Sequence, residues 1–226
     1  MTYSEFQTKL TRLVDDDYRA FAIKGIYTEY PFLGVRTPDL RILAHEIIKS
    51  KNSAEFLELS PQSYEELTIQ GFIIASLPYA EMKARLPGYI KGVDNWATTD
   101  MVTSSLKSIK KNREDFLSII DEFLESSHEF SVRTALVCLK SYYIVPDYLA
   151  VIFDRVARVK DREEYYIRMA VAWLVCECFI KYPDETYGFL KSRILPTWTQ
   201  NKSVSKIRDS YRVPKEVKDA LLTLKK

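Results

Sequence analysis

The chain has 226 residues, with 33 lysines and arginines against 31 aspartates and glutamates, for a formal net charge of +2. With 46% hydrophobic and 28% charged residues it is an ordinary globular composition, which excludes a disordered chain. Its 6 glycines argue against a Gly-loop nucleotide fold or a sheet-rich one, and so weak a basic excess permits nucleic-acid binding without arguing for it.

The opening MTYSEFQTKL contains no apolar stretch of the signal-peptide kind, so no secretory signal is expected. Helical periodicity then runs nearly end to end. TPDLRILAHEII begins with Thr37 as N-cap and Pro38 in the first turn. SYEELTIQGFIIASL reads as a helix from about 63 to 77, with Ser63 and Glu66 spaced as a capping box. NREDFLSIIDEFLESS, HEFSVRTALVCLKSYYI, PDYLAVIFDRVARV, EEYYIRMAVAWLVCECFIKY and PDETYGFLKSRI follow, separated by proline or short polar links. No segment alternates as a strand does between hairpin turns. The longest clean apolar run, MAVAWLVC, falls short of the ~20 residues of a membrane span. Cys138, Cys176 and Cys178 all lie in apolar runs, as reduced core thiols do, and point to a cytoplasmic setting rather than a disulfide framework or metal site.

VRTALVCLKSYYI aligns with IRMAVAWLVCECFI, matching Arg133 to Arg168, Ala135 to Ala170 and Leu139 to Leu174, each pair 35 residues apart. Paired helices at that period mark an α-solenoid, closer to HEAT than to tetratricopeptide repeats because the latter's small-residue signature is missing. The expected fold is all-α: a single HEAT-like repeat domain over residues 1–226, curved around a concave groove, with no linker marking a domain boundary.

Within DNWATTD, Trp96 and Asp100 are four apart. On a helix that places them about 40° from one another. A core face suits the indole and penalises the carboxylate, whereas a solvent face does the reverse. The wall of a groove suits both, although a core Trp96 beside a capping or ion-paired Asp100 is the plainer alternative. Arg133 and Arg168 would project from equivalent places on stacked helices, either to pair between repeats or to grip phosphate with a planar fork. Trp173 reads as core unless another tryptophan lies near. Lys202, Lys206, Arg208 and Arg212 cluster near the C-terminus, as a solvated helix face or as phosphate contacts. No nucleophile elbow, zinc-binding H-E-x-x-H or phosphate-cradling glycine loop is present.

Taken together, FLGVRTPDLRILAHEI, DNWATTD, SVRTALVCLKSYYI, YYIRMAVAWLVCECFI and SKIRDSYRVPKEVK make the chain resemble the AlkD-like HEAT-repeat DNA alkylation-repair family over roughly residues 32–226. The resemblance implies a monofunctional glycosylase, monomeric and without metal or cofactor, that removes N3- and N7-alkylated purines from duplex DNA. It places the family's cleft residues on Trp96, Asp100, Arg133 and Trp173, with Asp100 stabilising an oxocarbenium and positioning water. It also implies that the lesion need not be flipped out. The stretch LVDDDYRAFAIKGIYTEYPFLG departs from the family's lesion-clamping helix, being acidic at Asp15, Asp16 and Asp17, so a shorter subfamily without that element is expected. The alternative is a HEAT-like module that binds nucleic acid or a protein and excises little or nothing.

Overall fold

The computed structural model describes residues 1–226. It is all-helical, with no strand, and of the α-solenoid type. The chain packs as two compact units, Met1–Ser108 and Ile109–Lys226. No helix is long and apolar enough to cross a membrane.

The first unit holds α1 (Tyr3–Arg12), α2 (Asp16–Ala22), α3 (Thr37–Lys49), α4 (Ser53–Glu58), α5 (Tyr64–Ser76), α6 (Tyr79–Ile90) and α7 (Trp96–Thr103). Its core joins Phe6 and Leu10 of α1 to Leu40, Leu43 and Ile47 of α3 and to Ile73 of α5, all essentially solvent-free. α5 packs between α3 and α7. The approach to α7 depends on Gly71, where an added Cβ would lie 2.3 Å from Val102 Cγ2.

Two caps differ from expectation. The N-cap of α3 is Arg36, without a side-chain hydrogen bond. Thr37 is the first helical residue, and its hydroxyl lies 3.2 Å from Met101 Sδ. Pro38, second in the helix, loses nothing, because its missing N–H would have had no partner there. At α5, Ser63 does cap, accepting from the Glu66 N–H. The Glu66 carboxylate accepts instead from the Gln62 N–H at 2.9 Å, so only half of a capping box forms.

The second unit holds α8 (Arg113–Leu124), α9 (Glu129–Cys138), α10 (Leu149–Arg158), α11 (Tyr165–Lys181), α12 (Pro183–Lys191), α13 (Thr197–Asp209) and α14 (Lys215–Ala220). α9, α11 and α13 lie side by side in a row, with α8 against α9 and α12 against α11. The two similar segments of the sequence are thus adjacent helices in space. α9 does not run on as a plain α-helix through Tyr143; it ends at Cys138 and passes into a π-helical turn, Leu139–Tyr143.

Candidate functional site

In the first unit, α7 carries Trp96 and Asp100 one turn apart, both half-buried. The two residues before Trp96 set where this helix starts. Asn95 is its N-cap, 1% exposed, and accepts from the Thr98 N–H at 2.8 Å. Asp94 ties the preceding loop, accepting from the Thr28 hydroxyl at 2.8 Å and the Glu29 N–H at 2.6 Å. Trp96 Nε1 donates to the Gly25 carbonyl at 2.8 Å, which fixes the indole orientation. Trp96 is thus a half-buried ring held in place by its own N–H.

The stretch between the first helix and FLG contains the seven-residue α2. Asp15 caps it, accepting from the Tyr18 N–H at 2.8 Å, and also receives Arg36 Nε at 2.9 Å. The acidic run is the N-terminal charge that starts this short helix. Beyond it, Phe21, Ile23 and Tyr27 are 74%, 53% and 72% exposed. The segment is held by Glu65, a fully buried carboxylate. Its Oε1 accepts the N–H groups of Leu33, Gly34 and Val35 at 3.1, 2.7 and 3.2 Å. Burial nevertheless pushes its carboxyl above the usual value. Gly34 is required there: its φ is +97° and a Cβ would fall 2.6 Å from Arg19 Cβ.

In the second unit, Arg133 and Arg168 lie in the second and first turns of α9 and α11. Their equivalence holds in an unexpected form. Each guanidinium covers an aromatic at the start of the next helix in the row. Arg133 lies 5.8 Å from the Tyr166 centroid and Arg168 4.5 Å from that of Trp198. Arg133 is only 5% exposed and donates to the Tyr166 carbonyl at 2.8 Å. Glu129 completes the joint by accepting from the Tyr166 N–H. These contacts link one helix of the row to the next through cation–π and backbone bonds.

Trp173 is half-buried in α11. The Lys140 ammonium, carried by the π-helical turn, stands 3.5 Å from its ring centroid. The reading of the chain passed over this lysine; its signal was position, seven residues after Arg133 and so on the same helical face. Trp173 also borders a depression of about 340 Å³ with Lys206 and Arg212. Arg212 is not a free charge there: it grips Glu177 with both amino groups, at 2.6 and 3.1 Å. Arg208 Nε donates to the Lys218 carbonyl at 3.1 Å. Lys202 and Lys206 are half-buried on α13. The structure thus brings Lys206 and Arg212 to Trp173, pairs one of them, and leaves Arg168 against Trp198.

No group of three His, Cys, Asp or Glu side chains is arranged to hold a metal ion. The three cysteines are free and buried. Burial pushes the thiols of Cys176 and Cys178 up to about 11 and about 12, far from a reactive thiolate.

An all-helical repair scaffold is the class to which fold and sequence point. A family model described as DNA alkylation repair enzyme matches residues 6–207, so the chain belongs to that family. A solved structure titled as a predicted DNA alkylation repair enzyme from Enterococcus faecalis is similar, with a TM-score of 0.62 at 14% identity, covering 93% of this chain and 98% of that one. At that identity the likeness speaks for the fold. No curated protein matches the chain.

Proposed function

We propose that the protein is an AlkD-like, HEAT-repeat DNA glycosylase that hydrolyses the N-glycosidic bond of cationic N3- or N7-alkylpurines in duplex DNA. The observation that carries the reading is the α7 face, where an anchored indole and a carboxylate stand one turn apart, both half-buried. An alkylated purine is already a good leaving group, and its departure builds positive charge on the deoxyribose. Asp100 stabilises that charge and positions the attacking water; a carboxylate fixed before the reaction does so without reorganisation. The Trp96 face attracts the same cation, by about 0.5–2 kcal/mol. Trp173, already stacked with Lys140 on one face, is the family's second candidate aromatic. Arg133 contributes its charge and the placement of α11 more than exposed surface. Arg168, Lys202, Lys206 and Arg208 are the candidate contacts to the DNA backbone, and Arg212 would join them only when released from Glu177.

A second reading, a binding module of the same fold with little excision, draws on the committed state of the basic residues. Arg133 is buried and Arg212 is paired to Glu177. The test is base release from a duplex containing N7-methylguanine, under single-turnover conditions with folded protein in excess. Asp100→Asn is expected to slow release by about 10²–10³-fold, the usual effect of removing one preorganised electrostatic group. Equal rates for the two proteins would remove Asp100 from the chemistry. No release by the wild type, with DNA still bound, would establish the binding module instead.

A further inference from the structure

A cavity of about 440 Å³ opens in the first unit between α3, α5 and the turn that follows α7, and neither Trp96 nor Asp100 lines it. Its walls have two characters. Arg41, His45 and Lys107 supply the titratable groups, and no carboxylate lines it. Ala44 and Ile48, one turn apart on α3, face Phe72 and Ala75 of α5 and make an apolar slot. Arg41 is held in place without an acidic partner: its guanidinium stacks 4.2 Å from the Phe72 centroid and its Nη1 donates to Ser105 Oγ at 3.0 Å. Those two contacts orient the fork and leave its other N–H groups available. Walls of one charge sign over a low-dielectric floor concentrate the field on an anion.

We propose that this cavity is a binding site for a small ligand with a flat apolar body and a phosphate group, an aryl or nucleoside monophosphate. The phosphate sits on Arg41 and Lys107, for which a guanidinium fork and an ammonium are the matching donors. The ring enters the slot between Ala44 and Ala75. The volume is that of a single small-molecule site. Inorganic phosphate alone would leave the apolar walls wet, and a neutral ring would leave Arg41 without its anion.

The test uses the full chain, titrated calorimetrically with phenyl phosphate and with 2′-deoxyadenosine 5′-monophosphate, and separately with 2′-deoxyadenosine and inorganic phosphate. Each phosphorylated ring is expected to bind at least about tenfold more tightly than deoxyadenosine or phosphate, as a charge-assisted contact gives. Arg41→Gln and Lys107→Gln, both at exposed positions, should each weaken binding by about tenfold, and Ala75→Phe should abolish it by filling the slot. Arg12→Gln, a cation lining a different surface, should change nothing. A preference for the nucleotide or for phenyl phosphate would tell which source of the shared chemistry fits the slot. No saturation at millimolar ligand, equal affinity in Arg41→Gln, or inorganic phosphate binding as tightly as the aryl phosphates would each overturn the assignment.

Discussion

Replacing Glu65 with alanine removes the one group that accepts three consecutive backbone N–H donors, from Leu33, Gly34 and Val35. Gly34 and Val35 are buried, and Leu33 is half-buried and open to rehydration. A buried donor left unsatisfied costs about 1–3 kcal/mol, so the first two contribute roughly 2–6 kcal/mol. The one lost methylene adds about 0.8 kcal/mol. Relief from burying a carboxylate offsets part of this, and the expected net loss is about 3 kcal/mol. Glu65→Gln should lie between, at about 1–2 kcal/mol: its oxygen still serves Gly34 and Val35, but its amide sets a donor against the Leu33 N–H. The assay is urea unfolding of the full chain at neutral pH, followed by tryptophan fluorescence. A change below about 1 kcal/mol in Glu65→Ala would refute the claim that this carboxylate holds the loop. The consequence reaches the proposed site through bonded contacts. The Gly34 carbonyl accepts the Asp15 N–H at 3.1 Å, Asp15 starts α2, and the chain beyond α2 presents the Gly25 carbonyl to Trp96.

The same carboxyl sets a pH dependence. Burial raises its folded-state pKa above the ordinary 4.5, so the folded chain holds that proton more tightly than the unfolded chain. The increment of stability carried by that proton is present in full below about pH 4.5 and is lost as the pH rises through the raised value. Relative to Glu65→Gln, the wild type should therefore lose stability across that window, as measured by unfolding at a series of pH values; a parallel pair of curves would contradict it. Gly71→Ala should destabilise by about 1–3 kcal/mol in the same melts, since its Cβ meets Val102 and the Tyr89 hydroxyl at 2.3 and 2.4 Å. Glu177→Gln should free Arg212 and tighten DNA binding, steepening the salt dependence of affinity by about one ion, while Arg212→Gln should change it little. The three cysteines should resist a thiol-specific disulfide reagent at pH 8 until the protein is unfolded; rapid reaction of Cys176 in the native state would show the depression at Trp173 to be more open than its geometry indicates.

Much of the fold was legible in the chain because helical periodicity is a local property. Ser63 as a cap, Pro38 in a first turn and the 35-residue likeness of α9 and α11 all follow from spacing along one segment. So does the Trp96/Asp100 face, since four residues make one turn wherever the helix lies. The division after Ser108 was not legible, for it falls in a short 3₁₀ turn, Lys107–Lys111, with no glycine, proline or change of composition to mark it. The short α2 was not legible for a related reason: an acidic run says nothing of helix until a residue such as Asp15 is known to cap it.

The sequence by itself determined the helices, their apolar faces, the reduced buried cysteines and the residues from which a site is built. The tertiary structure alone decided what each charged or aromatic group is occupied with. Arg212 meets Glu177 across 35 residues, Lys140 reaches Trp173 across 33, and Glu65 collects N–H groups from about 30 residues upstream. The physical reason is range. A helix face is set by bonds within one turn, whereas a guanidinium, an ammonium or a carboxylate takes whichever partner the packing of separate helices brings within about 3–4 Å.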